Sequence, residues 1–205
     1  MINENWFHEI DIPEKAFYLG FAFADGSVIL PEQSTHYGFQ LTVKADDRQV
    51  LDDFAELINV KKPEVKSQLD KRSGKTYDYV RITVCSRQML YDVTVHGLIR
   101  PKEKSIKPIG ISDELLPSFI SGLWEADGGF CKRLSGRCSA YLTGYKPLLS
   151  FVQQIVNAGH IYKHGSVWQL VFNSKTDLRR LYNLLEDTPA HILRKRVKFK
   201  EWLLI

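Results

Sequence analysis

The nonapeptide at residues 18–26, YLGFAFADG, returns in altered form at residues 120–128 as ISGLWEADG. Gly20 aligns with Gly122, Ala24 with Ala126, Asp25 with Asp127 and Gly26 with Gly128, an offset of half the 205-residue chain. Repetition on that scale means a duplicated domain. The flanks repeat as well. A hairpin-like segment follows each copy, then the helical patterns VLDDFAELI and LLSFVQQIV. Strand pairs ending YVRITVCS and VWQLVFNS come next, then the helical patterns QMLYDVTVHG and LRRLYNLLED, and finally the basic segments PKEKS and LRKRVK. Each half therefore reads α-β-β-α-β-β-α. The fold class is α+β, a tandem pseudo-twofold repeat of αββαββα units with antiparallel sheets. The Pro- and Gly-containing segment SIKPIGISDELLP (105–117) is the natural linker, giving units over residues 1–108 and 109–205.

Within each nonapeptide the glycine and the alanine stand four apart, so they stack on one helical face. Small residues there let two backbones approach closely, and the two copies can face each other across a pseudo-twofold axis. Each helix ends in Asp-Gly, with Gly26 and Gly128 expected to take a left-handed C-terminal cap. Asp25 and Asp127 then sit at helix C-termini, where the dipole disfavours an anion by about 0.3–1 kcal/mol. Two such ends side by side need a compensating cation, and hard oxygen ligands favour Mg²⁺ or Mn²⁺. Paired carboxylates with metal at a domain seam suit phosphodiester cleavage.

Net charge is only +4, which permits a nucleic-acid partner without arguing for one. Its distribution says more. Residues 1–25 and 46–56 are acidic, whereas residues 61–75, 100–107 and 194–200 (RKRVKFK) are basic. Period-two reading of the strands gives each an apolar face and a polar one carrying Arg, Lys, Gln and Tyr, side chains suited to base edges and phosphates. The expectation is that bases point toward DNA and that the acidic helix over 46–56 lies on the outer side, away from it. The polar-face residues singled out are Gln40, Thr42, Lys66, Gln68, Tyr79 and Arg81, then Arg133, Arg137, Tyr141, Thr143 and Gln169. A strand of about eight residues spans about 26 Å, or about seven or eight base pairs per half. Because the halves differ, the target is long and non-palindromic.

The remaining composition narrows the class. A chain 44% hydrophobic and 25% charged is ordinary for a globular protein with a core, not a disordered tail or a collagen-like rod. Cys85, Cys131 and Cys138 are odd in number and widely spaced, which fits a reducing compartment. No apolar run approaches the 18 or so residues of a membrane span. Residues 1–14 are acidic and lack a basic, apolar, cleavable pattern, so no signal peptide and no membrane association are expected. The expected location is the cytoplasm or an organellar matrix.

YLGFAFADG and ISGLWEADG resemble the two LAGLIDADG motifs of a monomeric homing endonuclease, and the resemblance covers nearly the whole chain. The stretch over residues 89–130 is similar to the bacterial, phage and intein branch, in which a Lys-Ser pair precedes the second motif. The resemblance implies two αββαββα domains whose sheets form a DNA-straddling saddle in a monomer. It also implies metal-dependent cleavage of both strands of double-stranded DNA at a long, rare site. It makes Asp25 and Asp127 the metal ligands, assisted by the carbonyls of Ala24 and Ala126. The basic active-site residues map to Lys104 and, in the second half, to Lys195, with Lys44 a weaker candidate near the water network. Phe23 stands where the family pattern often has an acid and where the second copy has Glu125.

Other readings compete. His160 and His164 with Cys131 and Cys138 invite a zinc site, but their spacing is unlike the usual tight ligand pairs, and these residues read better as part of the fold. A DNA-binding regulator and an RNA-splicing maturase are alternatives that keep the fold. A complete intein is not expected, because the chain starts with Met1 and ends EWLLI.

Overall fold

Proline is tolerated in the first turn of a helix, where its missing N–H would be unpaired anyway. Three of the helices start that way: α1 (Pro13–Asp25), α4 (Leu116–Asp127) and α5 (Lys146–Val156). Serine side chains cap two others. Ser86 accepts from the Met89 amide at α3 (Arg87–Val95), and Ser174 from the Asp177 amide at α6 (Lys175–Leu185). The computed structural model describes residues 1–29, 37–71, 73–100, 105–132 and 138–203. Among these residues no helix is long and apolar enough to cross a membrane.

The first half runs α1, β1 (Gly26–Ile29), β2 (Gly38–Lys44), α2 (Gln49–Leu57), β3 (Val65–Leu69), β4 (Thr76–Val84) and α3. The second runs α4, β5 (Gly128–Lys132), β6 (Cys138–Gly144), α5, β7 (His160–His164), β8 (Val167–Phe172) and α6. Each half forms one antiparallel sheet, with orders β1-β2-β4-β3 and β5-β6-β8-β7. The two registers also correspond: Gly26 pairs with Leu41 and Leu41 with Ile82, as Gly128 pairs with Leu142 and Leu142 with Leu170. Alternation decides the faces. Leu41, Val43, Val80, Ile82 and Val84 are buried beneath helices, and so are Ala140, Leu142, Leu170 and Phe172. The opposite face of each sheet is left open.

Helices α1 and α4 pack on each other at the centre, inside one continuous core shared by both halves. The motif glycines explain the closeness. A Cβ on Gly20 would lie 2.8 Å from the carbonyl carbon of Phe119, and one on Gly122 would lie 2.6 Å from the amide nitrogen of Phe21. Phe17 stands three residues before Gly20, and Phe119 three before Gly122. Each glycine therefore meets the backbone that flanks the other, as a pseudo-twofold axis requires.

The motif-ending glycines have a different role from the one expected. Gly26 (φ −75°, ψ 158°) and Gly128 (φ −82°, ψ 153°) are extended rather than left-handed. The chain turns directly from helix into strand and folds back on the last helical turn. A Cβ would fall 2.7 Å from Cα of Ala22 at Gly26 and 2.6 Å from the Trp124 ring at Gly128. Glycine is needed there for space, not for a positive φ.

Among the described residues, the second half also carries a helix with no counterpart in the first. Its basic segment is helical, within α7 (Leu193–Leu203), where Arg196 and Phe199 are buried.

Candidate active site and nucleic-acid interface

Asp25 is the last residue of α1 and Asp127 the last of α4. Asp25 lines a cavity of about 410 Å³ together with Ala126, Thr42, Lys44, Asp47 and Lys195. Asp127 lines one of about 50 Å³ with Ala24, Thr143, Tyr145 and Ser105. The arrangement is crossed: each carboxylate shares its cavity with the alanine of the other motif. Thr42 and Thr143 hold equivalent strand positions, one residue past Leu41 and Leu142.

Lys195 reaches the first cavity from α7. Its Nζ donates to the carbonyl oxygens of Glu125 (2.6 Å), Gly128 (2.8 Å), Ala126 (3.2 Å) and Trp124 (3.4 Å). These carbonyls form the partly negative end of α4, which favours a cation. Burial pushes the Lys195 ammonium below the ordinary lysine range, and the neighbouring Arg194 guanidinium adds to this; Asp47, Glu125 and Asp25 oppose it. Lys104 lies outside the described residues. Its neighbour Ser105 is buried and lines the Asp127 cavity, anchored by hydrogen bonds to both the amide and the carbonyl of Ile99.

The donor set is compatible with a hard divalent ion. Each cavity offers one motif aspartate, and the Asp25 cavity, also lined by Asp47 and Glu125, adds helix-end carbonyls that already gather a cation, the Lys195 ammonium. Among the described residues no group of three or more His, Cys, Asp and Glu could hold a metal, so a bound ion would need backbone oxygens and water or phosphate as well. The sheet order disposes of the zinc reading. Cys131 on β5 and the two histidines on β7 occupy opposite edges of one sheet, about 14 Å apart at the usual strand spacing.

The acidic run is not the outer, solvated face expected of it. Asp52 is buried and bonded to Arg48. Asp47 lines the cavity and takes a bidentate pair of bonds from Arg194 (2.8 and 2.6 Å). Asp53 pairs with His191 Nδ1 at 2.7 Å. Nor do all the bases face outward, because Arg194 is tied to Asp47 and Arg196 is buried. Sequence periodicity places a charge on a helix face, but the partner that will cover it lies 147 residues away for Asp47 and 138 for Asp53.

The open sheet faces carry most of the residues expected there. In the first half Gln40, Thr42 and Lys44 on β2 lie beside Thr83, Arg81 and Tyr79 on β4, with Lys66 and Gln68 on β3 beside Tyr79 and Tyr77. Arg81 Nε donates to Thr42 Oγ1 (3.0 Å) and its guanidinium lies over the Tyr79 ring, which fixes its direction. In the second half Tyr141, Thr143 and Gln169 share a face, and Gln169 donates to Thr143 (3.3 Å) in the position that Arg81 and Thr42 take in the first. Arg133 and Arg137 lie outside the described residues. Period-two reading puts Tyr77 and Thr83 on this face too, without singling them out, and on β7 sequence reasoning missed His160, Tyr162 and His164. The β7 residues share the open face with Val171, Gln169 and Val167. Alternation in HIYKH carried that signal, but the four-residue histidine spacing drew attention to metal instead.

The sequence matches no family model and no curated protein. Solved structures do share its fold. The homing endonuclease I-WcaI, bound to its DNA recognition sequence, superposes with a TM-score of 0.67 at 13% identity, over 92% of this chain and 87% of that one. The LAGLIDADG meganuclease I-AabMI, bound to uncleaved DNA, gives 0.60 at 16% identity over 94% and 89%. The N-terminal LAGLIDADG domain of DUF199/WhiA gives 0.56 at 13% identity over 95% and 93%. This chain therefore has the two-repeat LAGLIDADG fold of the monomeric homing endonucleases.

Proposed function

We propose that the chain is a LAGLIDADG homing endonuclease. In this reading it binds a long, non-palindromic double-stranded DNA along its two open sheet faces as a monomer and cuts both strands. The observation that carries the reading is the crossed pair of cavities, each with one motif aspartate, in a fold whose DNA-bound examples include I-WcaI and I-AabMI. Asp25 and Asp127, with the carbonyls of Ala24 and Ala126, would hold Mg²⁺ or Mn²⁺. A metal bound there supplies an activated water and charge stabilisation at the leaving oxygen. The chain's own groups do the rest. The carboxylates hold their places at the helix ends because Gly20 and Gly122 bring α1 and α4 together. Lys195 places a positive charge in the Asp25 cavity, where phosphate charge develops. Lys44 adds a cation at the cavity wall, and the sequence resemblance gives Lys104 the first-half role that Lys195 has in the second. Arg81, Gln40, Gln68, Lys66 and Tyr79 read and anchor one half-site, and Tyr141, Thr143 and Gln169 the other.

The test is cleavage of a library of long random duplexes with Mg²⁺ by the wild type, Asp25→Asn and Asp127→Asn. The wild type is expected to select and cut a single class of site, and each variant to bind it and fail to make the double-strand break. The likeness to the DUF199/WhiA domain supports a second reading, a DNA-binding protein without nuclease activity. Tight selection of a site with no cutting by the wild type establishes that reading instead. Preference for a structured intron RNA points to a maturase.

A further inference from the structure

Glu125 is fully buried at the position where the first motif has Phe23. A buried carboxylate is costly unless its oxygens are satisfied and its charge is met. Oε2 accepts from the backbone amides of His191 (3.0 Å) and Ile192 (2.8 Å), the two residues leading into α7. Oε1 faces Arg196 Nε at 3.4 Å. The Arg196 guanidinium is held in turn by other partners. It donates to Ser121 Oγ (2.5 Å), Thr188 Oγ1 (2.8 Å) and the carbonyl of Pro189 (3.2 Å), and also bonds the Leu185 carbonyl. The pair thus holds the start of α7 to the inner side of α4, and Lys195 is the residue between Arg196 and the Asp47-bound Arg194.

In the first half Phe23 has no carboxylate to form such a pair. Phe23 packs edge-on against Phe119 at 5.1 Å. There the segment after Ser105 is held by His96, whose ring nitrogens lie 2.8 Å from the carbonyls of Ile109 and Phe7. Because Glu125 belongs to the second motif but controls a lysine in the Asp25 cavity, its effect should fall on one cavity and spare the other.

We infer that Glu125 and Arg196 are positioning residues that deliver Lys195 to the Asp25 cavity. The consequence for cleavage rests on the nuclease reading above; the effect on Lys195 does not. Three variants separate positioning from stability. Glu125→Gln keeps the shape and removes the charge. Arg196→Met removes the guanidinium. The double variant Glu125→Leu/Arg196→Met replaces the ion pair with apolar groups of similar volume, an exchange that is often neutral or stabilising.

The first readout is acetylation of Lys195 in DNA-free, metal-free protein, followed by peptide mass spectrometry against exposed Lys200 as internal reference. Lys195 in the wild type should react slowly. In the double variant, at a melting temperature no lower than the wild type's, its labelling relative to Lys200 should rise about tenfold, as expected when a hydrogen bond to a charged group is lost. Unchanged labelling in all three variants overturns the inference. The second readout is the ratio of nicked to linear plasmid carrying the selected site. The wild type yields linear product and the variants should accumulate the nicked circle, whereas equal loss of both cuts, or a wild-type ratio with raised labelling, overturns the assignment to one cavity. A wild type that cuts nothing defeats the nuclease reading, and the labelling still decides whether Glu125 and Arg196 hold Lys195.

Discussion

At the scale of single residues, Gly20 and Gly122 are placed where backbone meets backbone. A side chain in the way can rotate, but the Phe119 and Phe17 carbonyls cannot. Inserting a methyl into a close-packed interior costs about 1–3 kcal/mol and more where nothing yields. Gly20→Ala and Gly122→Ala should each destabilise by about 3 kcal/mol. The double variant should cost less than the sum, because the first methyl already separates the helices and the sites are coupled. Gly144→Ala is the control. Its Cβ would meet only the Leu149 side chain at 3.5 Å, so the change should stay within about 0.5 kcal/mol. Denaturant unfolding of the wild type and these four variants tests this, and strict additivity would mean the two glycines do not share one interface. Lys195 gives a second prediction at this scale. Burial lowers its folded-state pKa while the unfolded chain keeps the ordinary lysine value near 10.4. Between the two values the unfolded state binds more protons, so stability rises with pH. The cost of holding the charge is fully present below the folded-state pKa and is relieved as pH climbs toward 10.4. In metal-free protein, the wild type should therefore gain stability relative to Lys195→Met over that alkaline window. A constant difference between the two proteins would show that Lys195 titrates as it does in the unfolded chain.

At the scale of elements, what was legible in the sequence followed from local pattern. The duplicated nonapeptide gave both central helices and their matched faces. Period-two alternation in YDYVRITV placed Val80, Ile82 and Val84 inside and Tyr79 and Arg81 outside, as found. The failures share one cause, a partner distant in sequence. Gly26 and Gly128 look like left-handed caps because Asp-Gly so often is one, whereas the deciding fact is the fold-back of β1 and β5 onto Ala22 and Trp124. Asp47 and Asp53 look solvated because nothing near them in the chain is basic enough to claim them apart from Arg48. His191, just before α7, claims Asp53, and α7 itself, which claims Asp47 through Arg194, is read from RKRVKFK as a charged surface run. Its charges are spent in three directions: Arg194 to the first half, Arg196 to the second motif and Lys195 to the cavity between. Arg194 is exposed and its pair with Asp47 is of the kind worth about 1 kcal/mol or less. Arg194→Ala should accordingly leave global stability nearly unchanged, within about 1 kcal/mol by denaturant unfolding. A larger loss would mean that the first half relies on α7 for its fold.

At the scale of the whole molecule, the two halves match in topology but not in surface chemistry. The open face of the first sheet carries Lys44, Lys66 and Arg81. That of the second, among the described residues, carries no lysine or arginine and instead presents Tyr141, Thr143, His160, Tyr162, His164 and Gln169. Phosphate contacts by cations release counterions and steepen the salt dependence of binding, whereas contacts by neutral groups to bases do not. The two halves should therefore fail differently. Lys44→Gln, Lys66→Gln and Arg81→Gln should each reduce the slope of log K against log salt by about 0.9 where the residue meets a phosphate. Tyr162→Ala and Gln169→Ala should weaken binding by a similar factor at every salt concentration and leave the slope unchanged. Anisotropy titrations of the selected duplex from about 50 to about 200 mM salt separate the two behaviours. If the second-half variants also flatten the slope, that half holds its DNA by charge, and the asymmetry of the open faces does not extend to binding. If none of the five variants moves either quantity, the open faces are not where DNA lies.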